Sequence, residues 1–325
     1  MTHPRKGTVA TYGPADAPTA TPLLTRAQVL RLGAGLAGLA ALPAPFAFAE
    51  EIMQTRPIPS SGQPLPVIGL GTWQGFDVGT GADERKPLSD VLAALYTAGG
   101  SVVDSSPMYG RSEGVAGDLI EASGARPKTF IATKVWTRGK AEGIAQMEQS
   151  MALLKSGKTI DLMQVHNLVD YKTHLDTLRG WKMDGRVKYI GVTHYTPSAF
   201  AELEAVLRAE PLDFVQLNYA VNDRAAEKTL LPLAKDKGIA VLVNRPFGGG
   251  GTLRGLKGKP LPDFAAEIGC TSWAQVLLKF ILAHPAVTCA IPGTAKPQHM
   301  ADNVKAGMGA LPDGTMREKI AAATA

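Results

Sequence analysis

The sequence predicts an α/β fold, a single (β/α)8 barrel of the TIM type. Eight short apolar runs recur along the chain, mostly about 25–35 residues apart. They are continuous rather than alternating, which marks strands buried on both faces. The segments between them carry apolar residues at helical spacing, and no shift in composition divides the chain. Length agrees: 325 residues at 45% hydrophobic content support a large core, and barrels of about 250 residues form one domain.

The predicted strands are VIGLGTW (67–73), SVVDSS (101–106), FIATKVW (130–136), IDLMQVH (160–166), VKYIGVT (187–193), DFVQLNY (213–219), IAVLVNR (239–245) and VTCAIPG (287–293). After the first, PLSDVLAALYTAGG places Leu88, Val91, Leu92 and Leu95 at i, i+3, i+4, i+7 and stops at Gly99-Gly100. Before the eighth, TSWAQVLLKFILAHP repeats the spacing with Trp273, Val276, Leu277, Phe280 and Ile281, ending at Pro285. The irregular part is the Gly-rich, basic stretch 248–264 after the seventh strand, with Arg254, Lys257 and Lys259. A long loop of this kind in a compact domain is usually functional or disordered.

The N-terminus has a different character. Residues 1–22 are rich in Pro, Thr, Ala and Gly without periodicity. Arg26 and Arg31 then precede an apolar run, Leu32 to Leu42, and Ala47-Phe48-Ala49 is a small-x-small cleavage sequence. This is the layout of an export signal. The run is about 11 residues, against the roughly 20 that span a bilayer. TRAQVLR resembles the twin-arginine export motif, with Ala27 at the second arginine position. Residues 1–49 are therefore expected to be a cleaved leader, 50–65 a short N-terminal segment and 66–325 the barrel, with the mature protein periplasmic or otherwise exported and off the membrane.

Formal net charge is +5. The basic residues are scattered, so no stripe for nucleic acid is present, although a weak positive field suits an anionic cofactor. Cys270 and Cys289 form neither a CxxC pair nor a metal-ligand cluster, and no metal is expected. Cys289 reads as a small core hydrophobe.

Barrel active sites lie at the C-terminal ends of the strands. There the second strand ends in Asp104, with Tyr109 five residues on. The third carries Lys134 and the fourth ends in His166. A lone Asp, Tyr or His at such a place is commonly structural. A Lys at the end of an apolar strand needs a partner, because burying an unpaired ammonium is very costly. Asp104 is the nearest by topology.

The segments VDSSPMYGRSE, IATKV, DLMQVHN, GRVKYIGVTHY, FVQLNY and IPGTAKPQHMADN resemble, in order and spacing, the signature segments of the aldo-keto reductase superfamily, from about Pro66 to Ala306. The resemblance implies a catalytic tetrad at Asp104, Tyr109, Lys134 and His166. Hydride arrival at a carbonyl carbon leaves charge on the oxygen, which Tyr109 would protonate. A free phenol has a pKa of about 10; Lys134 is expected to lower it, Asp104 to hold Lys134 and His166 to orient the substrate oxygen. The resemblance places the nicotinamide carboxamide at Thr193, His194 and Gln216. It places the adenosine phosphate and adenine at Thr294, Lys296, His299 and Asn303. Asn244 stands where the family commonly has an aromatic residue. Beside it in VNRPFGG are Arg245, whose planar guanidinium suits the nicotinamide ring or the pyrophosphate, and Phe247. With His299 in place of the common Arg, NADP is the expected cofactor, by a reduced margin over NAD.

Trp73, Met108, Trp136 and Tyr195 at or near strand ends are the expected substrate pocket. The short sequence after the last helix leaves it open, suited to aldehydes or small ketones. Two other functions share these residues: a cofactor-binding regulatory subunit on the same fold, and a dehydrogenase running toward alcohol or sugar oxidation.

Overall fold

The computed structural model describes residues 52–324; the leader expected over 1–49 lies outside the described residues. Strands β1 (Thr55–Pro57) and β2 (Pro64–Pro66) form an antiparallel hairpin. Eight parallel strands follow: β3 (Leu70–Gly71), β4 (Val102–Asp104), β5 (Phe130–Val135), β6 (Ile160–His166), β7 (Val187–His194), β8 (Phe214–Asn218), β9 (Ala240–Asn244) and β10 (Val287–Ala290). They pair in sequence order. Parallel bridges Ile68↔Ala290 and Gly71↔Gly293 join the last strand to the first. There Gly69 N donates to Ala290 O and Ala290 N to Val67 O, each at 2.9 Å. The expected (β/α)8 barrel is the observed fold.

The helices are α1 (Ala82–Thr97), α2 (Ser112–Ala122), α3 (Lys140–Leu153), α4 (Tyr171–Met183), α5 (Phe200–Ala209), α6 (Leu230–Asp236), α7 (Gly251–Gly255), α8 (Phe264–Glu267), α9 (Trp273–Leu282), α10 (Pro297–Asn303) and α11 (Gly314–Thr324). The periodic sets do what their spacing predicts. Leu88, Val91, Leu92 and Leu95 are the buried face of α1. Val276, Leu277, Phe280 and Ile281 are buried in α9, whose N-cap Ser272 accepts a bond from Gln275 N at 3.2 Å. The Gly-rich stretch is not one loop. Gly248, Gly249 and Gly250 turn at φ 57, 67 and 85° and feed the short α7.

Side chains alternate across each strand. Val103, Ile131, Met163, Val215 and Val241 belong to the core shared with the helices. Val102, Ala132, Leu162, Phe214 and Leu242 belong to a separate cluster inside the barrel. Ile58 and Leu65 of the hairpin join that inner cluster and plug the N-terminal mouth. Two residues further along the same inner faces stand Asp104, Lys134, Gln164, Gln216 and Asn244. The inner column is apolar at the bottom and polar at the top. One close approach shapes it: a Cβ at Gly191 would lie 2.6 Å from Phe214 O, so β7 meets β8 here only as glycine.

Candidate active site

Lys134 has no exposed surface. Its Nζ donates to Asp104 Oδ2 at 2.7 Å and to Ser105 O at 2.6 Å. Asp104 Oδ1 accepts from Gln216 Nε2 at 2.8 Å and from Gln164 Nε2 at 3.3 Å. The carboxylate that partners the ammonium is thus held at both oxygens. Burial works against the Lys134 charge, but Asp104 above all, with Tyr109 and Glu113, outweighs it and holds the pKa above the ordinary value.

Lys134 Nζ lies 5.4 Å from the centroid of the Tyr109 ring. Lys134 pulls the phenol pKa down as expected, but the net shift of Tyr109 is upward. Burial raises it, Lys134 pulls it back only in part, and Asp104 opposes that pull, so Tyr109 stays above an ordinary phenol. A phenol that keeps its proton is what a proton donor requires.

The His166 ring lies 6.2 Å from Tyr109, edge-on at 89°, and 6.2 Å from Trp136. Burial first, then the Lys134 charge and His194, push its pKa down to about 3. The imidazole is neutral at ordinary pH. Its Nδ1 is 3.1 Å from Ser106 Oγ. Tyr109 Oη and His166 Nε2 make no hydrogen bond among the described residues, and neither is among the buried polar atoms left without a partner. Both therefore keep accessible surface.

Backbone strain collects at the same end of the barrel. Among the described residues six non-glycines have positive φ, and five follow barrel strands: Trp73 (24°), Asn167 (52°), Leu168 (58°), Asp170 (49°) and Arg245 (48°). Such conformations cost about 1–3 kcal/mol each and cluster at functional sites. The four residues expected in the substrate pocket follow barrel strands and are exposed, Trp73 58%, Met108 42%, Trp136 41% and Tyr195 41%. The Arg245 guanidinium sits 5.3 Å over the Tyr195 ring, which stacks on His194 at 6.0 Å and 16°. In a groove at the opposite end, Arg186 pairs with Glu148 at 2.9 Å and Lys155 with Glu121 at 2.6 Å.

The aldo/keto reductase family model matches residues 67–319. The chain belongs to the aldo/keto reductase family. It is accordingly an oxidoreductase by family. A methylglyoxal reductase, YeaE of Escherichia coli K12, is 29% identical over 259 residues, covering 77% of this chain and 89% of its own. The aldo-keto reductase YhdN of Bacillus subtilis 168 is 30% identical over 232 residues, 66% of this chain and 67% of its own. Among solved structures, an aldo/keto reductase from Klebsiella pneumoniae in complex with NADP and acetate superposes with a TM-score of 0.69. It is 25% identical and aligned over 81% of this chain and 93% of that one.

Of the residues expected around the nicotinamide, Thr193 and Gln216 pair at one level, with His166 on the other side of Thr193, and His194 stands one step on, opposite Leu217. Thr193 is buried and His194 half-buried. Gln216 is committed to the protein. Its Nε2 bonds Asp104, and its Oε1 accepts from Asn244 Nδ2 at 3.4 Å. Asn244 Oδ1 and Asn167 Oδ1 are buried without a partner. Of the phosphate segment, Lys296 and His299 are exposed, Thr294 is half-buried and accepts from Lys296 N at 3.1 Å, and Asn303 is buried. Phe247 is half-buried and packs against the core. Both cysteines are free and buried, and burial pushes the Cys270 thiol up to about 11.

Gln164, Ser106 and Asn167 escaped the sequence reading. Gln164 was findable: it stands two residues before His166 on one strand and so shares its face. Ser106 and Asn167 carried no such signal, since loop hydroxyls and amides are common.

Proposed function

We propose that the chain reduces small aldehydes or ketones to alcohols with NADPH, with Tyr109 Oη as the proton donor. The observation that carries this is the fully buried Lys134–Asp104 pair beside a protonated phenol and a neutral imidazole, each with an unclaimed polar atom. The reduction of methylglyoxal named for the Escherichia coli relative supports the substrate class, and the NADP in the Klebsiella complex supports the cofactor.

Bound NADPH supplies a hydride to the carbonyl carbon. Tyr109 Oη gives its proton to the carbonyl oxygen as negative charge builds there. Lys134 stabilises the phenolate left behind, and Asp104 keeps Lys134 charged and in place. His166 Nε2 donates to the same oxygen and fixes its position. Trp73, Met108, Trp136 and Tyr195 exclude water around the apolar part of the substrate.

The residues present fit the nicotinamide. Buried amide oxygens without a donor are seldom tolerated, and Asn244 Oδ1 and Asn167 Oδ1 would accept from a carboxamide N–H2. Thr193 and His194 would complete that contact, Arg245 would neutralise the pyrophosphate, and Lys296 would meet the adenosine phosphate with His299 beside it. NADPH oxidation with a panel of aldehydes, methylglyoxal included, tests the reading. Turnover of several aldehydes supports it, and NADPH binding with no turnover contradicts it. The Arg-flanked apolar run and Ala47-Phe48-Ala49 support cleavage near residue 49 and export; a mature protein from its native host that begins near Met1 contradicts that.

A further inference from the structure

Ser106 lies on the loop that carries Tyr109, and its carbonyl accepts from Tyr109 N at 3.0 Å. The side chain is fully buried. Its Oγ has one hydrogen-bond partner among the described residues, His166 Nδ1 at 3.1 Å. Burial and the Lys134 charge keep the imidazole neutral, so the ring carries one proton, on Nδ1 or on Nε2.

The two placements differ in cost. With the proton on Nδ1, the ring donates to Oγ and the serine hydrogen is left buried with no acceptor. With the proton on Nε2, the hydroxyl donates to Nδ1 and every buried group is paired. The second placement also suits the chemistry proposed above. A carbonyl oxygen only accepts, so it needs a donor at Nε2 and is repelled by a lone pair there.

Building on the reductase reading above, we propose that Ser106 is a positioning residue: its hydroxyl donates to His166 Nδ1 and so fixes the proton on Nε2, the nitrogen that meets the substrate oxygen. One loop then serves both donors, Tyr109 through the backbone turn at Ser106 and His166 through the Ser106 side chain.

The test is a long-range 1H–15N correlation spectrum of histidine-labelled protein, with the His166 signals assigned by their loss in His166→Asn. Neither substrate nor cofactor is needed, so the spectrum decides the tautomer even if the site reduces no carbonyl. The parent is expected to show His166 protonated on Nε2 at neutral pH. Ser106→Ala should bring in the Nδ1–H form, while Ser106→Thr, which keeps the hydroxyl, should retain Nε2–H. In NADPH-dependent turnover Ser106→Ala should lower kcat by roughly tenfold, about one hydrogen bond's worth, with the NADPH Kd near that of the parent. Protonation of Nδ1 in the parent would overturn the proposal, and that spectrum stands whether or not the variants fold. So would Ser106→Ala that keeps both Nε2–H and the parent kcat.

Discussion

At Lys134 the energetics and the chemistry rest on one atom. A fully buried ammonium is tolerated because Asp104 and the Ser105 carbonyl accept two of its hydrogen bonds. Breaking a buried pair by removing one partner costs about 3–5 kcal/mol. Lys134→Met should therefore lower stability by that order, read as a fall in the urea midpoint, besides cutting kcat. A midpoint near that of the parent would mean that Asp104 does not depend on Lys134. The pH behaviour follows from the two neighbours. Tyr109 is held above the ordinary phenol value of 10.0, by burial first, so the donor is lost only as pH rises past that value. His166 is depressed to about 3 by burial and by Lys134. The unfolded chain binds this proton below about 6.5 and the folded chain only near 3, so the stability linked to His166 is full above 6.5 and drains as pH falls toward 3. The kcat profile should accordingly be flat from about pH 6 to 9; an inflection near 6.5 that disappears in His166→Asn would contradict the neutral imidazole. The cluster of Asp104, Tyr109, Lys134 and His166 was legible because an acid, a phenol, an ammonium and an imidazole at successive strand ends are hard to attribute to packing. The net shift of Tyr109 was not, because burial and the opposing Asp104 charge outweigh the Lys134 pull, which no spacing reveals.

At the scale of the element, each strand acts as a ruler. A step of two along an inner face runs from Phe130 to Ala132 to Lys134, and from Leu162 to Gln164 to His166. Register then sets the functional groups at matching heights, with His166, Thr193 and Gln216 in one row. Gly191 keeps that row in register, since a Cβ there would meet Phe214 O at 2.6 Å and Phe214 Cβ at 3.0 Å. Gly191→Ala should push β7 from β8 and lower stability by about 1–3 kcal/mol, measurable as a drop in Tm. An unchanged Tm would show that the two strands yield without cost. All eight strands were visible as apolar runs, though the ends of several were overdrawn. VIGLGTW pairs as a ladder only at Leu70–Gly71, and VTCAIPG stops at Ala290 before Pro292, which has no N–H to donate. The hairpin at Thr55–Pro66 was missed because strands of three residues bounded by prolines show no period.

For the barrel as a whole, the polar rim and the exposed aromatic residues follow the C-terminal ends of the strands, where NADPH and the carbonyl compound would bind. Lys296 and His299 are both exposed near the start of α10. A neutral imidazole adds little attraction for a phosphate dianion, whereas a guanidinium binds it in two places. NADPH should bind more tightly than NADH, and His299→Arg should widen that gap in fluorescence titrations; NADH binding as tightly as NADPH in the parent would show that this segment is not the phosphate site. The phosphate segment was recognisable only through its family likeness, since its residues are spread over a loop and a seven-residue helix too short to show a period. The central claim remains that Tyr109 Oη delivers the proton. Tyr109→Phe removes one oxygen and keeps the ring, so NADPH binding should be unchanged while kcat for an active aldehyde falls by about 10²–10⁴-fold, the range for general acid catalysis. A Tyr109→Phe protein that binds NADPH normally and reduces the same aldehyde at the parent rate would contradict it.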